Sequence, residues 1–488
     1  MIDCKNVSFQ YDEAGKEQLK DCSFHVEQGE CVVLCGRSGC GKTTITRIIN
    51  GLIPKYFDGN LSGKICVNGE MIEDKELYEL ADQIGSVFQN PRTQFFNVDT
   101  DSEIMFACEN KGISEDKLPN IYESVVSELN LKKLQKRNIF ELSGGEKQKI
   151  AFASVYALNP SVYVLDEPSS NLDIDSIYEL KHYLEFVKSQ GKTIVIAEHR
   201  LFYLMDIADR FIYLERGEIK KEFSKDELLF LDSDIRKGLG LRTLSFENEL
   251  KMSEIMVSSN TDKIKKMYVE KGDLLQLVNL TISRNKQILL SNINAQVHTG
   301  EIIGILGMNG CGKTTLVRSL CGLHKEMSGD VIFNGRKMSR RDRMEHSYLV
   351  MQDVNYQLFA ESVYAECFLG MQNANPELVC QTLKNLDLYE EKDRHPATLS
   401  GGQKQRLSVA VGVMSGKPVL FFDEPTSGLD YDSMMQVAGI IRRLSKEHII
   451  FIVTHDYEFL QETATRIFMF ENGKLVKDQR VYMEKDEV

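Results

Sequence analysis

The sequence predicts an α/β protein made of two tandem copies of one domain, each a mainly parallel-sheet core with an inserted helical subdomain. Three observations predict it. The hexapeptide GCGKTT occurs twice, as Gly39 to Thr44 and as Gly310 to Thr315. LSGGEKQK (Leu142 to Lys149) recurs as LSGGQKQR (Leu399 to Arg406), VYVLDEPSSNLD (Val162 to Asp173) as VLFFDEPTSGLD (Val419 to Asp430), and IVIAEH (Ile194 to His199) as IFIVTH (Ile450 to His455). The order is the same, and the interval from Ser143 to Glu167 equals that from Ser400 to Glu424, so a whole domain is duplicated, not a short solenoid unit. Apolar runs such as CVVLC, TIVIA and IIFIV lack polar alternation, as strands covered on both faces do.

Each copy reads the same way along the chain. A Gly-Glu turn feeds a strand in GECVVLCG (Gly29 to Gly36) and GEIIGILG (Gly300 to Gly307), and a glycine loop then leads into a helix. Residues from about 100 to 142 and from about 360 to 399 are helix-rich by pattern and form the insertion. The runs that end in Asp-Glu, and the later TIVIA and IIFIV, supply further strands. Residues 1–230 form the first domain and 273–488 the second, joined by a mixed-charge linker, 231–272, that matches neither copy.

Composition narrows the classes. With 42% hydrophobic residues, 27% charged residues and 9 prolines in 488, the chain is ordinary globular material. A net charge of −13 argues against a nucleic-acid binder, which needs a basic surface to neutralise phosphates. The 11 cysteines lie in apolar runs and not in C-x-x-C pairs, which reads as reduced thiols with neither a disulfide framework nor a zinc site. The N-terminus has no secretory pattern, and no run nears the roughly 20 apolar residues of a spanning helix. Work at a membrane would therefore go through a partner.

The loops carry chemistry. G-x-x-x-x-G-K-[ST] is met by Gly36, Arg37, Ser38, Gly39, Cys40, Gly41, Lys42 and Thr43, with Thr44 next, and by Gly307, Met308, Asn309, Gly310, Cys311, Gly312, Lys313 and Thr314, with Thr315 next. The glycines let backbone N–H groups turn inward at a helix N-terminus and cradle phosphate. Lys42 and Lys313 reach the β- and γ-phosphates, and Thr43 and Thr314 ligate Mg²⁺. One lone match could be a structural turn; two, each followed by the same three motifs, are not. Asp166 and Asp423, at the ends of buried strands, hold the Mg²⁺, while Glu167 and Glu424 polarise the attacking water. Ser143 and Ser400 open capping boxes, S-x-x-[EQ], and with Gly144, Gly145, Gly401 and Gly402 they also make anion-binding helix ends. Cys40 and Cys311 have two open readings: an oxidation-sensitive thiol at a helix N-terminus, or a small tolerated side chain.

Phosphate loops, Gln89 and Gln352, the LSGGE and LSGGQ signatures, the DEP boxes, the SNLD and SGLD turns, and His199 and His455 together resemble the nucleotide-binding domains of ATP-binding-cassette proteins, over nearly all of the chain except the linker. The resemblance implies ATP and Mg²⁺ as cofactors, with Gln89 and Gln352 at the metal, and His199 and His455 against the γ-phosphate. It also implies an intramolecular cassette dimer with two composite sites, Lys42 with Ser400 and Lys313 with Ser143. The family's adenine-stacking aromatic is matched by Tyr11; Arg284 stands at the equivalent place in the second copy, where a guanidinium can stack on a π face. The second site is therefore the expected weaker member.

VFQNPRTQFFNVDTDSEIMFACEN (Val87 to Asn110), MQDVNYQLFAESVYAE (Met351 to Glu366) and AEHR (Ala197 to Arg200) resemble energy-coupling-factor importer ATPases of the fused two-cassette type. That resemblance implies a peripheral ATPase at the cytoplasmic face of the cell membrane. Its integral membrane partners would be a coupling-helix protein and a substrate-capture protein for a vitamin or metal ion. Phe95, Phe96, Phe106, Phe359 and Tyr364 then line a partner groove, or else only pack the helical subdomain. The alternatives are a soluble tandem-cassette translation or repair ATPase, for which the near-neutral linker is a poor fit, and a fused sugar-importer ATPase. The latter type resembles a pair with a degraded second site, whereas Lys313, Asp423, Glu424 and His455 are all present.

Overall fold

Apolar runs without alternation must be covered on both faces, and they form the centre of two six-stranded sheets. A computed structural model describes residues 1–12, 17–170, 172–245, 272–308, 310–369 and 375–481. The chain divides into two units, Met1–Leu244 and Ser245–Val488. In the first, the sheet order is Glu218–Phe223, Arg210–Glu215, Cys31–Gly36, Thr193–Ala197, Val162–Asp166, Ile84–Val87. Every neighbouring pair is parallel except the Arg210–Glu215 and Glu218–Phe223 hairpin. The second unit repeats it with Lys474–Arg480, Arg466–Glu471, Ile302–Gly307, Ile449–Val453, Val419–Asp423 and Ser347–Val350. The strand that precedes each glycine loop is thus central, flanked by the strand that leads to the histidine. The strand that ends in Asp-Glu comes next.

Each unit also carries a four-stranded antiparallel sheet that the sequence reading lacks. It is built on Ile2–Tyr11 in one unit and Leu274–Arg284 in the other. Bulges hide its alternation. Asn6 (φ 52°) and Asn279 (φ 48°) interrupt the pairing, and a Cβ on the facing Gly63 or Gly329 would lie 2.4 Å from their carbonyl oxygens.

The inserted regions are helical as expected. Thr100–Asn110 starts at Asp99, whose carboxylate accepts from Ser102 N at 2.9 Å, and Leu118–Glu128 follows. Val363–Glu366 and Pro376–Asn385 are their shorter counterparts, capped by Ser362 and Asn375. Of the expected linker, residues 246–271 lie outside the described residues. The segment before them is folded: a helix spans Ser233–Gly238, and Leu241 is buried in the core of the first unit. No helix among the described residues is long and apolar enough to cross a membrane.

Candidate functional site

Two features force glycine into the loop. Gly36 adopts φ 136°, and a Cβ there would lie 2.2 Å from Leu214 O. Gly41, at φ 110°, opens the helix Lys42–Ile49, whose first backbone N–H groups have no acceptor within the helix. Gly307 (φ 152°) and Gly312 (φ 102°) repeat this ahead of Lys313–Leu320. The bare N–H groups at the start of each helix suit an anion. Gly36→Ala is expected to destabilise the first unit by about 2–4 kcal/mol. Urea unfolding checks this, and an unshifted midpoint would show that the loop relaxes freely.

Both lysines are buried and folded over their own loops. Lys42 Nζ donates to Gly36 O (3.0 Å) and Arg37 O (3.2 Å) and lies 3.2 Å from His199 Nε2. Lys313 Nζ donates to Gly307 O (2.5 Å) and Met308 O (3.0 Å). The guanidinium of Arg37 donates to Gly238 O at 2.7 Å, at the end of the helix Ser233–Gly238. Met308, its counterpart, is exposed, and Asn309 lies outside the described residues. Cys40 is buried and Cys311 half-buried, so of the two thiols Cys311 has more of the access that oxidation requires.

The acid pairs meet the loops in both units. Thr43 Oγ1 donates to Asp166 Oδ1 at 3.0 Å, and Thr314 Oγ1 to Asp423 Oδ1 at 3.3 Å. A hydroxyl beside a carboxylate is the hard oxygen donor set that Mg²⁺ takes, so the residues fit the ion. Burial, together with the neighbouring Glu167 charge, pushes the Asp166 carboxyl up to about 7. Burial likewise pushes Asp423 up to about 6, against the pull of Thr314, Arg318 and Lys313. A buried carboxyl of this kind gains when a cation arrives.

Glu167 and Glu424 share a backbone feature that sequence alone does not show. Both lie in the left-handed region, at φ 43° and 52°, held by N–H bonds of 2.8 Å to Ala197 O and Val453 O. Glu167 accepts from Gln89 Nε2 at 2.6 Å and lies 3.4 Å from His199 Nε2. Burial raises its pKa, but His199, Lys42 and Gln89 together bring it below the usual carboxylate range. Glu424 accepts from Thr454 Oγ1 (2.8 Å) and His455 N (3.1 Å). Gln352 is exposed, two residues past the strand Ser347–Val350.

Tyr11 ends its strand with its hydroxyl accepting from Arg47 at 3.1 Å and its ring edge-on to Phe9 and Phe57. Arg284 ends the equivalent strand and is exposed. Ser143 and Ser400 form the expected capping boxes with Glu146 and Gln403. Ser143, Gly144, Ser400 and Gly401 are exposed, while Gly145 is packed so closely that a Cβ would lie 2.3 Å from Ser176 Oγ; Gly402 is half-buried.

Some site residues escaped the sequence reading. Glu198 is buried beside His199 and accepts from His199 N (2.7 Å), Arg200 N (3.1 Å) and Tyr203 Oη (2.9 Å), fixing the turn that presents the imidazole. Glu103 and Glu366, also buried, each accept two consecutive backbone N–H bonds, from Phe96 and Asn97 and from Phe359 and Ala360. A buried acid in an apolar helix was the available signal, since it must find donors.

Comparison with known proteins agrees with this geometry. The ABC transporter family matches residues 19–170 and 290–427. A protein of Treponema denticola named at family level, as an ABC transporter ATP-binding protein, is 47% identical, covering 98% of this chain and 97% of its own. A similarly named protein of Methanosarcina mazei is 30% identical over 98% of this chain and 88% of its own. Among solved structures, the RNase-L inhibitor aligns with TM-score 0.62 at 21% identity, covering 98% of this chain and 90% of that one, a likeness of fold. With two phosphate loops, two acid pairs and two signatures in family order, the chain belongs to the ABC transporter family as a tandem-cassette ATPase.

Proposed function

We propose that this ATPase is the energy-coupling subunit of an energy-coupling-factor type importer for a vitamin or metal ion, working at the cytoplasmic face of the membrane. The observation that carries the reading is a groove of about 600 Å³ in the first unit, between the strand Ile84–Val87 and the helix Thr100–Asn110. Its wall holds Phe96, 75% exposed, stacked on Phe106 at 4.8 Å and 20°. Phe359 in the second unit is 74% exposed at the same interval from its glutamine. An exposed aromatic on an apolar groove suits the apolar face of a partner helix.

The two nucleotide sites are composite in this reading, Lys42 with Ser400 and Lys313 with Ser143. The exposed signature ends support it, since each is an anion-binding helix terminus that its own unit leaves open. Thr43, Asp166 and Gln89, and Thr314, Asp423 and Gln352, would hold Mg²⁺, which supplies charge neutralisation on the phosphates. Lys42 and Lys313 exchange their loop carbonyls for phosphate oxygens. Glu167 and Glu424 accept the proton of the attacking water, and His199 and His455 hold the γ-phosphate end. Covalent linkage keeps the pairing one to one at high effective concentration.

Affinity capture of the full chain from its native membrane tests the importer reading. Co-purification of an integral membrane protein is expected. Recovery of ribosomes without such a protein would sink it in favour of a soluble factor.

A further inference from the structure

The helix Ser233–Gly238, near the end of the first unit, satisfies most of its last carbonyls by itself. Gly240 takes the left-handed position after it, at φ 72°. Leu239 N donates to Ile235 O (3.0 Å), Gly240 N to Lys237 O (2.9 Å) and Leu241 N to Arg236 O (3.2 Å). The carbonyls of Gly238 and Leu239 come next, at the helix end where partial negative charge gathers. Two side chains beside the first phosphate loop take them. Arg37, within that loop, donates to Gly238 O at 2.7 Å. Tyr213 Oη donates to Leu239 O at 3.0 Å, and Tyr213 pairs with Cys35, the residue directly before Gly36.

The second cassette lacks both donors. Met308 stands at the place of Arg37, directly after the first glycine of its loop, and is 67% exposed. By sheet register Met469 stands at the place of Tyr213, since it pairs with Leu306, the residue directly before Gly307. A thioether has no hydrogen to donate. The first loop has other ties: Cys40 O accepts from Gly217 N at 3.1 Å, and Arg37 O accepts from Lys42 Nζ at 3.2 Å and Cys40 N at 3.3 Å. What the Arg37 side chain adds is a link from the loop to the end segment. That segment is anchored in turn, with Leu241 and Arg242 buried, and Arg236 donating to Leu241 O at 2.9 Å. One residue therefore offers its carbonyl to the phosphate-binding lysine and its guanidinium to the helix end.

We propose that Arg37 and Tyr213 are positioning residues that couple occupancy of the first phosphate loop to residues 233–242, a coupling that Met308 and Met469 cannot make in the second cassette. The inference goes beyond the importer reading and rests only on nucleotide entering the first loop. When Lys42 exchanges Arg37 O for phosphate oxygens, the Arg37 peptide is released from the lysine while its guanidinium still holds Gly238 O. Loop and end segment then settle together. Because such coupling is reciprocal, nucleotide tightens the segment and the segment favours nucleotide at this site.

Hydrogen exchange on the full chain, with and without Mg²⁺ and a non-hydrolysable ATP analogue, reads the coupling at the amides of Leu239, Gly240 and Leu241. Their exchange is expected to slow about fivefold or more once the analogue fully protects the helix Lys42–Ile49, the scale of one net hydrogen bond. In Arg37→Met the slowing falls below about twofold, although Lys42–Ile49 is still protected at saturation. Arg37→Lys keeps a donor and retains most of the effect, and protection of the helix Lys313–Leu320 in both variants guards against a folding defect. Equal slowing in the parent and Arg37→Met, no slowing in the parent once Lys42–Ile49 is protected, or equal loss in the Lys and Met variants would each overturn the coupling. A parent chain in which neither loop helix gains protection would sink the nucleotide reading itself, and the coupling with it.

Discussion

The Glu167→Gln, Glu424→Gln double variant binds nucleotide with near-parental affinity and hydrolyses it about 10²–10⁴ times more slowly, the range for removal of a positioned general base. Three facts make the effect this large and this specific. Both glutamates stand directly after the aspartate that meets the loop threonine, so they sit at the phosphate end of the cradle. Both adopt the left-handed backbone, a strain that persists only where the surroundings over-determine it, and it recurs at the same residue of both copies. Glu167 is held below the usual carboxylate range despite burial, because His199, Lys42 and Gln89 outweigh the desolvation, so it is an ionised acceptor at neutral pH. Glutamine preserves shape and can still accept from Gln89, so binding survives while proton acceptance does not. Steady-state phosphate release alongside equilibrium nucleotide binding checks this. Turnover within about twofold of the parent in the double variant would remove both glutamates from the role of base.

What was legible in the sequence follows from which constraints act on residue type. A phosphate cradle needs glycine at Gly36 and Gly41 because a Cβ would strike the backbone at Leu214 or the side chain of Leu19, so the loops declare themselves twice. Strands covered on both faces read as apolar runs, and the central sheets appear as expected. The antiparallel sheets were not legible because Asn6 and Asn279 break the period of two. The pairing of Arg37 with Gly238 was hidden for a different reason: its acceptor is a backbone carbonyl about two hundred residues away, which leaves no mark in residue type.

Asp423→Asn is expected to abolish hydrolysis at the second loop and yet stabilise the metal-free chain. The carboxyl is 4% exposed, and burial raises its pKa to about 6. A carboxyl whose folded pKa lies above its unfolded value favours the fold only while it is protonated. Its penalty is absent below the unfolded value near 4, grows as pH rises towards about 6, and is complete above that. Asparagine carries no charge to bury and keeps an oxygen for Thr314 Oγ1, so the variant gains about 1–3 kcal/mol at pH 8 and almost nothing at pH 4. Asp166 follows the same sign with its window extending to about 7, but it is more exposed, so solvent screens part of the gain. Chemical unfolding in the presence of a chelator, run at both pH values, reads the difference directly. A variant less stable than the parent at pH 8 would mean that Arg318 and Lys313 already satisfy the buried charge. The stored cost would then not be what draws a cation to the site.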